Sequence, residues 1–572
     1  MKKEILKTQF CVIGGGLAGL AAAVTAARRG IKTVLIHDRP VLGGNASSEI
    51  RMWICGSHEF METGFVEELR LENYYRNPQA NYSIWDTVLY GKAIEEPNLT
   101  LLLNTSCLDA EMNGSRIVSV DAWQLTTYTR YKVQADYFAD CSGDSILAEP
   151  TGAEYRVGHE PRSEFNESIA PVAADRKTMG MSCLLQAREM PTPQKFTPPE
   201  WAYRYETDAD LPNRSHNMEE FENFWWIELG GEDDSIHDTE KLRDELLKVA
   251  LGVWDHIKNH GDHGAENWTL EWLGFLPGKR ESRRYVGDHL LNQHDVESGG
   301  RFDDVVAYGG WTMDDHHPGG FRYPGEPTIF HPAPTDFGIP YRSLYSRNID
   351  NLWFAGRNIS VTHVALSSTR VMATCACMGE AVGLAVSIAA REQITPRETG
   401  RRYIHELQQA LLWNDCYLPH FQIENSALSG RAALSVSAGN AETLRSETIR
   451  GENGIWNAAP GSWAQYDFAA PEKVEEIRIV FDSDIAERIR SLKRLNMRSN
   501  IPLKQTPFEL PQSLVRHFRV TAENEQGHRE VLLECTDNRK RLVVLPVNEV
   551  CRNIKLEILD SEPKNVISFR IR

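Results

Sequence analysis

The sequence is poor in the cysteine patterns that mark secreted and zinc-finger proteins. Ten cysteines are spread over 572 residues, singly apart from Cys375 and Cys377. Without paired CxxC spacing or a dense set of cysteines, a disulfide scaffold and a cysteine-based zinc site are excluded. We interpret Cys375-Ala-Cys377 as packing residues of a helix rather than a redox pair, because free cysteine behaves as a small hydrophobe.

Basic charge is also scarce. Lysine and arginine number 62 against 80 acidic residues, a formal net charge of −18. A field of that sign repels phosphate backbones and anionic lipid surfaces. We therefore predict no nucleic-acid partner and no membrane partner.

Long apolar runs are missing as well. No stretch reaches the roughly 20 apolar residues that a spanning helix needs. The start, Met1–Lys7, is followed by only a short apolar run and lacks a small-residue cleavage site, so it does not resemble a secretory leader. We expect a cytoplasmic protein.

What the sequence does contain is material for several folded units. It is 41% hydrophobic and 25% charged, which is typical of a globular chain. A chain of 572 residues is too long for one core and predicts two to four structural units.

The first unit opens with a βαβ pattern. A buried strand at Phe10–Ile13 leads into Gly14-x-Gly16-x-x-Gly19, then an alanine-rich helix to Arg29 and a strand at Thr33–Ile36. In this context Gly14 permits a tight turn, Gly16 lets the backbone approach a pyrophosphate, and Gly19 allows close helix packing. The helix N-terminus favours the phosphate charge, so the motif, with Ala18 inside it, predicts a bound dinucleotide.

The end of the second strand should supply an acid for the ribose of that dinucleotide. Asp38 is the acidic residue there, but His37 stands at the strand end itself. Both therefore remain candidates, and Arg39 follows them.

Further segments complete a recognisable pattern. They are Leu42-Gly43-Gly44 with its polar tail, Asp140–Asp144, Phe337–Arg342 and Asn351–Arg357. Together with the first glycine turn they resemble the FAD-dependent oxidoreductases of the fumarate-reductase and glutathione-reductase-like superfamily, in particular a bacterial branch often found with carbohydrate-utilisation proteins. The resemblance covers residues 1–390.

This resemblance implies an α/β fold, in which a Rossmann-like FAD-binding domain of the glutathione-reductase type carries an inserted α+β substrate or cap domain. It implies FAD as the cofactor. The implied contacts are Gly43, Gly44, Asn45 and Ser47 beside the pyrophosphate and flavin, Ser142, Gly143 and Asp144 beside the adenosine ribose and phosphate, Gly356 near the ribityl phosphate, and Arg357 or Arg370 near phosphate or the flavin N1–C2=O edge. A surface ion pair remains the alternative for each arginine.

The residue after the second glycine turn bears on how FAD is held. Relatives with covalent flavin have a histidine there, whereas this chain has Asn45. We therefore expect FAD to bind without a covalent bond, and His58 is the nearby residue that would overturn this.

Candidates for proton transfer come from the predicted cap, a strand-and-loop region rich in Trp, His, Pro and Gly. The cluster Trp311–Gly320 places His316 and His317 beside two aspartates, and histidine suits proton transfer near neutral pH. We predict His316 or His317 as acid/base and Arg342 as a substrate anchor. A metal-binding loop and a solvated turn remain alternatives; we predict no metal site.

Two further clusters carry open alternatives. Arg280–Arg284 suits either a clamp on substrate oxygens or an ion-pair network. The run Phe224–Glu228 suits either an aromatic platform for sugar rings or a buried core strand.

The last segment changes to short alternating strands separated by turns, which predicts an all-β jelly-roll sandwich similar to galactose-binding or discoidin-like modules. In it Trp456 and Trp463 suit either a ligand face or a core plug. The predicted boundaries are 1–155 and 346–425 for the FAD-binding domain, 156–345 for the cap and 430–572 for the sandwich.

The leading functional hypothesis is hydride transfer between flavin N5 and a small polar substrate, a carbohydrate or sugar-derived alcohol. One rival is a fumarate-reductase-like reduction of an unsaturated dicarboxylate, clamped by Arg280, Arg283 and Arg342. The other is a flavin-bearing binding or assembly protein. The oligomeric state, the electron acceptor and the reaction direction are left open.

Overall fold

The computed structural model describes residues 2–58, 62–220, 222–446, 455–485 and 497–572. These residues form two compact units, each discontinuous in sequence. The first unit holds the described residues of 1–59, 79–407 and 492–507, and the second those of 60–78, 408–491 and 508–572.

The helices and strands follow one another in this order. Up to residue 156 they are β1 (Lys2–Ile13), α1 (Leu17–Arg28), β2 (Thr33–Ile36), α2 (Phe65–Arg76), α3 (Tyr82–Ile94), β3 (Leu99–Leu102), β4 (Thr105–Asn113), β5 (Arg116–Gln124), β6 (Thr129–Asp140), α4 (Ala148–Thr151) and β7 (Tyr155–Arg156). Up to residue 340 they are α5 (Arg162–Phe165), β8 (Met181–Ser182), β9 (Leu185–Glu189), β10 (Glu228–Leu229), α6 (Thr239–Asn259), β11 (Trp268–Leu273), β12 (Gly278–Lys279), β13 (Arg284–Tyr285), α7 (Gln293–Glu297), β14 (Val305–Gly309), β15 (Met313–His316), β16 (Thr328–His331) and β17 (Phe337–Pro340). The remainder are β18 (Leu352–Phe354), α8 (His363–Thr369), α9 (Met372–Glu392), α10 (Pro396–Trp413), α11 (Ala427–Arg431), β19 (Ala433–Val436), β20 (Trp456–Ala458), β21 (Trp463–Phe481), β22 (Phe518–Asn524), β23 (Arg529–Cys535), β24 (Leu542–Ile558) and β25 (Lys564–Ile571).

The first unit is built on a mixed sheet that confirms the predicted α/β class. Strands β3, β2, β1 and β6 lie side by side in parallel, β18 joins β6 in parallel, and β5 and β4 extend the sheet antiparallel. The predicted pairing of the first two strands is present, with Phe10 opposite Thr33 and Ile13 opposite Ile36. The last four residues of β1 and all of β2 are buried, because helices cover a parallel sheet.

Helix α9 is long and apolar enough to cross a membrane by length and composition, although 83% of its most apolar window is buried inside the fold. It packs on α1, where Gly379 and Gly383 lie against the backbone of Ala18 and Ala22. Small residues on both helices permit this close approach. The buried surroundings identify α9 as a core helix of the first unit.

The predicted cap region contains more helix than its composition suggests. Short strand pairs surround the 21-residue helix α6. Leu246, Val249 and Val253 of this helix pack in one core with Trp226 and Ile227. Their spacing of three to four residues is the apolar stripe of an amphipathic helix.

A late segment of the chain also belongs to the first unit. Ile501 exchanges backbone hydrogen bonds with Ala187 and Glu189. The side chain of Asn500 accepts a hydrogen bond from the N–H of Ala187 at 2.9 Å. Residues 497–507 thus extend the β9 region, although they follow β21 in sequence.

The second unit contains the predicted antiparallel β domain. Its sheet has the order β20-β25-β21-β24-β22-β23, with β19 beside β21. The β21–β24 ladder shifts register between Asp467 and Glu472, and residues on either side of this break share one buried core, as in a folded-over sandwich. Trp456 is 3% exposed and donates to the carbonyl of Ala438, which favours the core-plug interpretation for it.

The second unit extends beyond the predicted boundary at residue 430. Its C-terminal part begins at Gln408 rather than at residue 430. The unit also includes helix α2 from much earlier in the chain. Leu71 of α2 lies in the sandwich core, and Glu72 pairs with Arg539 at 2.7 Å.

Candidate functional site

A cavity of about 800 Å³ lies in the first unit, and both predicted glycine turns line it. Ile13 at the end of β1, Ile36 at the end of β2, and the residues that follow β6 and β18 also line it. Since these strands are parallel, the cavity lies at the carboxyl edge of the sheet. This is where open α/β sheets bind their ligands.

The first glycine turn is shaped by close backbone approach. Gly14 has φ +102°, and a Cβ there would lie 2.5 Å from Ser142 N. A Cβ on Gly19 would lie 1.8 Å from the carbonyl oxygen of Gly14. Gly16 differs, because no described atom lies within 4 Å of its Cβ position. Gly16, the N-cap residue of α1, therefore leaves the helix N-terminus open to the cavity.

The three residues that follow β2, namely His37, Asp38 and Arg39, have different roles. The N–H of Gly15 donates to His37 Nδ1 at 3.0 Å, and His37 Nε2 donates to the carbonyl of Val41 at 2.9 Å. Burial lowers the pKa of His37 to about 4, which keeps Nδ1 available as an acceptor. The His37 ring thus links the first glycine turn, through Nδ1, to Val41, through Nε2. Asp38, half exposed, and Arg39 line the cavity and remain available for a ribose.

The second glycine turn docks on the first. The N–H of Gly43 donates to the carbonyl of Gly15 at 2.8 Å, and the Cβ position of Gly44 lies 3.2 Å from the Cα of Gly16. Asn45 lines the cavity and donates to the carbonyl of Lys279 at 3.0 Å. The predicted contact Ser47 is buried and is not among the cavity-lining residues; its hydroxyl accepts a hydrogen bond from the N–H of Glu49.

Asp140, at the end of β6, shapes the turn that follows it. One carboxylate oxygen accepts from the N–H and the hydroxyl of Ser142 at 2.9 and 2.6 Å, and the other accepts from Tyr285 at 2.6 Å. This buried acceptor fixes the predicted Ser142-Gly143-Asp144 turn, which lines the cavity.

Asp144 joins the cap to the nucleotide-binding segment. Lys279 Nζ lies 2.9 Å from one carboxylate oxygen, and Arg357 donates to the other at 2.8 Å. Burial tends to raise the pKa of Asp144, but Arg357 and Lys279 outweigh it and hold that pKa well below its usual range. Gly356 and Arg357 line the same part of the cavity.

A buried charge cluster at the cavity centres on His316. Its Nδ1 lies 2.6 Å from Glu228 Oε2, whereas its Nε2 lies 3.4 Å from Asp314 Oδ2. Asp314 is also bound by Arg370 at 3.0 Å and by the Thr328 hydroxyl at 2.6 Å. Burial opposes ionisation of Asp314, but His316 and Arg370 reverse that effect and depress its pKa strongly.

Not every predicted catalytic residue reaches this cavity. His317 stacks on Tyr323 at 3.6 Å and is not a lining residue. Arg342 is 40% exposed and pairs with Asp303 and Asp304, so the structure does not place it as a substrate anchor. Of the two predicted histidines, His316 alone lines the cavity.

The Arg280–Arg284 segment is mainly structural. Arg280 lines the cavity but donates to Ser182 Oγ at 2.9 Å and to the carbonyl of Trp225 at 3.0 Å. Arg283 donates to the backbone of Asp144 and pairs with Glu149. The proposed three-arginine clamp is therefore not assembled at the cavity.

Aromatic side chains line the cavity near His316. Trp225 meets the His316 ring edge-on at 5.1 Å, and Trp311 stacks on His58 at 4.3 Å. Phe224 and Trp226 instead are buried in the cap core. The core interpretation thus holds for Phe224 and Trp226, whereas Trp225 lines the cavity.

The cavity lies within a segment of the chain that matches a known protein family. The family described as FAD dependent oxidoreductase matches residues 9–411, which include the residues that line the cavity. The chain belongs to this family.

Membership of this family implies a flavin cofactor. The residues that line the cavity are suited to hold such a cofactor. The α1 N-terminus is open at Gly16 for a pyrophosphate. Arg357 Nε and Arg370 Nε are buried, with no hydrogen-bond partner within the described residues. These are groups that an anionic dinucleotide satisfies.

Solved structures resemble each part of this FAD-dependent oxidoreductase at low identity. A geranylgeranyl bacteriochlorophyll reductase-like protein from Thermoplasma acidophilum is 13% identical, covering 72% of this chain and 86% of its own, with a TM-score of 0.32. The family 32 carbohydrate-binding module from Streptococcus pneumoniae EndoD is 10% identical, covering 26% of this chain and 99% of its own, with a TM-score of 0.18. No curated protein matches.

Sequence reasoning missed several residues of the site. Glu228 holds His316, and Lys279 and Asp140 shape the FAD side; Asp314 beside His316 belongs to the aspartates that the sequence did indicate. Glu228 lies 88 residues from His316, so sequence spacing carries no signal for that pair. Asp140 did carry a sequence signal, since it is the first residue of the Asp140–Asp144 segment in the family pattern.

Proposed function

We propose that this FAD-dependent oxidoreductase transfers a hydride between flavin N5 and a small polar substrate, with a carbohydrate or sugar-derived alcohol as the substrate class. The observation that carries the proposal is His316, which lines the same cavity as the dinucleotide-binding turns and is held by Glu228. Bound FAD supplies the two-electron acceptor or donor. The chain has to supply binding, orientation and proton transfer.

His316 is suited to move the proton that accompanies the hydride. Glu228 holds Nδ1 at 2.6 Å and so fixes the orientation of the ring. Nε2 is only loosely placed against Asp314, at 3.4 Å, and is the atom we assign to the substrate hydroxyl. An imidazole oriented by a buried carboxylate is a recurrent general base.

Positive charge at the start of α9 suits a reduced flavin. Arg370 lines the cavity, as do Val371 and Met372 at the N-terminus of α9. The aliphatic N-cap residue Val371 cannot cap the helix with its side chain, and a helix N-terminus carries positive partial charge. We assign Arg370 and this helix end to the N1–C2=O edge, where negative charge develops on reduction.

We further propose that FAD is held without a covalent bond. Asn45 occupies the position after the second glycine turn and is hydrogen-bonded to Lys279. Its amide is not a nucleophile that forms a flavin link. His58 is engaged in stacking with Trp311.

The aromatic side chains of the pocket support a sugar-like substrate over a dicarboxylate. Trp225 and Trp311 line it and offer faces on which sugar rings stack. A dicarboxylate needs free guanidinium groups, whereas Arg280 is committed to Ser182 and the Trp225 carbonyl.

The test is anaerobic reduction of the FAD-loaded protein by panels of sugars, sugar alcohols and dicarboxylates. Bleaching of the flavin by a sugar or polyol is expected. The variant His316→Gln should slow that bleaching by about 10²- to 10⁴-fold, the usual contribution of general acid–base catalysis, with unchanged FAD content. His317→Gln is the matched control and should react normally.

Other results would contradict the proposal. Reoxidation of the reduced protein by fumarate, without any response to sugars, would support the dicarboxylate rival. Silence toward both panels would support a flavin-bearing binding protein. Acid precipitation that leaves the flavin in the pellet would contradict the non-covalent assignment.

A further inference from the structure

Three histidines and one aspartate converge in the cap, outside the residues that line the FAD cavity. They are Asp208, His216, His256 and His263. One donor atom from each lies within 4.8 Å of all the others. The cluster joins the 3-10 turn Asp208–Asp210 to the C-terminal part of α6 and the loop that follows it.

The distances in the cluster match those between ligands of one metal ion. Asp208 Oδ1 lies 3.2 Å from His256 Nε2, 3.5 Å from His263 Nε2 and 3.9 Å from His216 Nδ1. Around a tetrahedral ion with ligand bonds of about 2.0–2.2 Å, neighbouring ligands are roughly 3.3–3.6 Å apart. The carboxylate oxygen is thus close to coordination spacing from His256 and His263 and lies slightly beyond it from His216.

The hydrogen bonding of His256 points to an ion between it and Asp208. The ring is fully buried. Nδ1 lies 2.9 Å from the carbonyl oxygen of Tyr205, which can only accept, so Nδ1 carries the hydrogen. In the neutral ring Nε2 then presents a lone pair to Asp208 Oδ1, another acceptor. A backbone carbonyl on the far nitrogen is also the usual outer partner of a metal-bound histidine.

The other two histidines also have donor atoms directed to the cluster. Nδ1 of His216 is the nitrogen that faces Asp208, and Nε2 of the same ring is buried with no hydrogen-bond partner within the described residues. A Cβ on Gly261 would lie 2.8 Å from Nε2 of His263, so glycine at that position makes room for the ring. Nε2 of His263 also lies 3.1 Å from the carbonyl of His260, a contact that coordination replaces.

We propose that these four side chains bind one divalent zinc ion that fastens the 205–216 segment to the C-terminal end of α6. Three imidazoles and a carboxylate suit zinc, and four protein ligands leave no position for substrate. Asp208 is 74% exposed, which gives the ion a path from solvent. One zinc ion can interact with the donor atoms of all four side chains at once. A single proton on His256 cannot do so. The role is therefore structural, separate from the redox site.

The test measures zinc on the FAD-loaded full chain. Protein stripped with a chelator and dialysed against excess zinc should bind one zinc per chain, and its midpoint of thermal unfolding should rise. In the double variant His216→Gln/His263→Gln, zinc affinity should fall by more than the roughly 10- to 100-fold typical of losing an outer-shell partner. The midpoint of thermal unfolding of this double variant should then be the same with and without zinc. Flavin absorbance reports folding throughout.

His260→Gln is the matched control, because His260 lies on the same segment, pairs with Asp255 and is not a ligand. It should bind zinc as the unaltered chain does. The proposal is overturned if stripped protein takes up no zinc. It is equally overturned if the double variant, with its flavin intact, binds zinc as tightly as the control.

Discussion

At the scale of single residues, the two glycines of the first turn separate folding from cofactor binding. Gly14→Ala puts a Cβ 2.5 Å from Ser142 N at a φ of +102°, so it should destabilise the protein by at least about 2 kcal/mol. Gly16→Ala meets no described atom within 4 Å, so it should fold normally. Its methyl group occupies pyrophosphate space and should weaken FAD binding by about tenfold or more, about 1.4 kcal/mol.

The measurements are urea unfolding of the apoprotein and FAD titration by flavin fluorescence. Gly430→Ala offers a baseline, since Gly430 lies outside the cavity, its φ is not positive and no described atom is within 4 Å of its Cβ position. The assignment of Gly16 fails if Gly16→Ala binds FAD as tightly as the unaltered chain.

Residues close in sequence were predictable, and residues brought together from afar were not. The turn Gly14–Gly19 and Asp38 lie within one βαβ unit whose spacing is fixed by local geometry. Glu228 and His316 meet only through tertiary folding. Arg342 was assigned to substrate because its partner Asp304, 38 residues earlier, is invisible to local pattern.

At the scale of elements, α8 is anchored at its start by a buried ion cluster. His363 Nδ1 lies 2.8 Å from Glu281 and Nε2 lies 3.1 Å from Asp315, and the His159 ring packs against it at a tilt of 48°. Burial lowers the pKa of His363, but Glu281 and Asp315 outweigh it and raise that pKa to about 10.

A raised histidine pKa sets the direction of a pH effect. The stabilisation is complete below the ordinary pKa of about 6.5 and is lost as pH rises toward 10. The free energy of unfolding should therefore fall over this window, by at most about 1.4 kcal/mol per pH unit for one proton. The variant His363→Gln/Glu281→Gln should show a flatter profile in urea unfolding. Parallel profiles for the two proteins would contradict the assignment.

The helix α6 shows what element prediction missed and why. Leu242, Leu246, Val249, Val253 and Ile257 recur every three to four residues and are all buried. That period was present in the sequence. The surrounding Trp, His, Pro and Gly content pointed to strands and loops instead, because composition averages over a region that alternates long loops with one long helix.

At the scale of the whole molecule, the sandwich unit depends on residues outside its predicted boundary. Arg541 is 2% exposed and pairs with Asp415 at 2.7 Å, and Leu71 of α2 fills part of the core. A fragment of 430–572 loses both. Since removing one partner of a buried ion pair costs about 3–5 kcal/mol, we expect this fragment to melt non-cooperatively or aggregate.

The matched fragment 408–572 keeps Asp415 and should show the more cooperative melt by circular dichroism. In the full chain, Asp415→Ala should lower the unfolding midpoint of the sandwich without altering FAD content. Equal melting of the two fragments would mean that Asp415 contributes nothing to this unit.

The return of residues 497–507 to the β9 region has a consequence during synthesis on the ribosome. Asn500 and Ile501 complete the first unit, yet they emerge only after the family-matched segment 9–411 has been translated. Nascent chains ordinarily fold domain by domain from the N-terminus. We therefore expect the first unit to remain incomplete until residues 497–507 have left the exit tunnel.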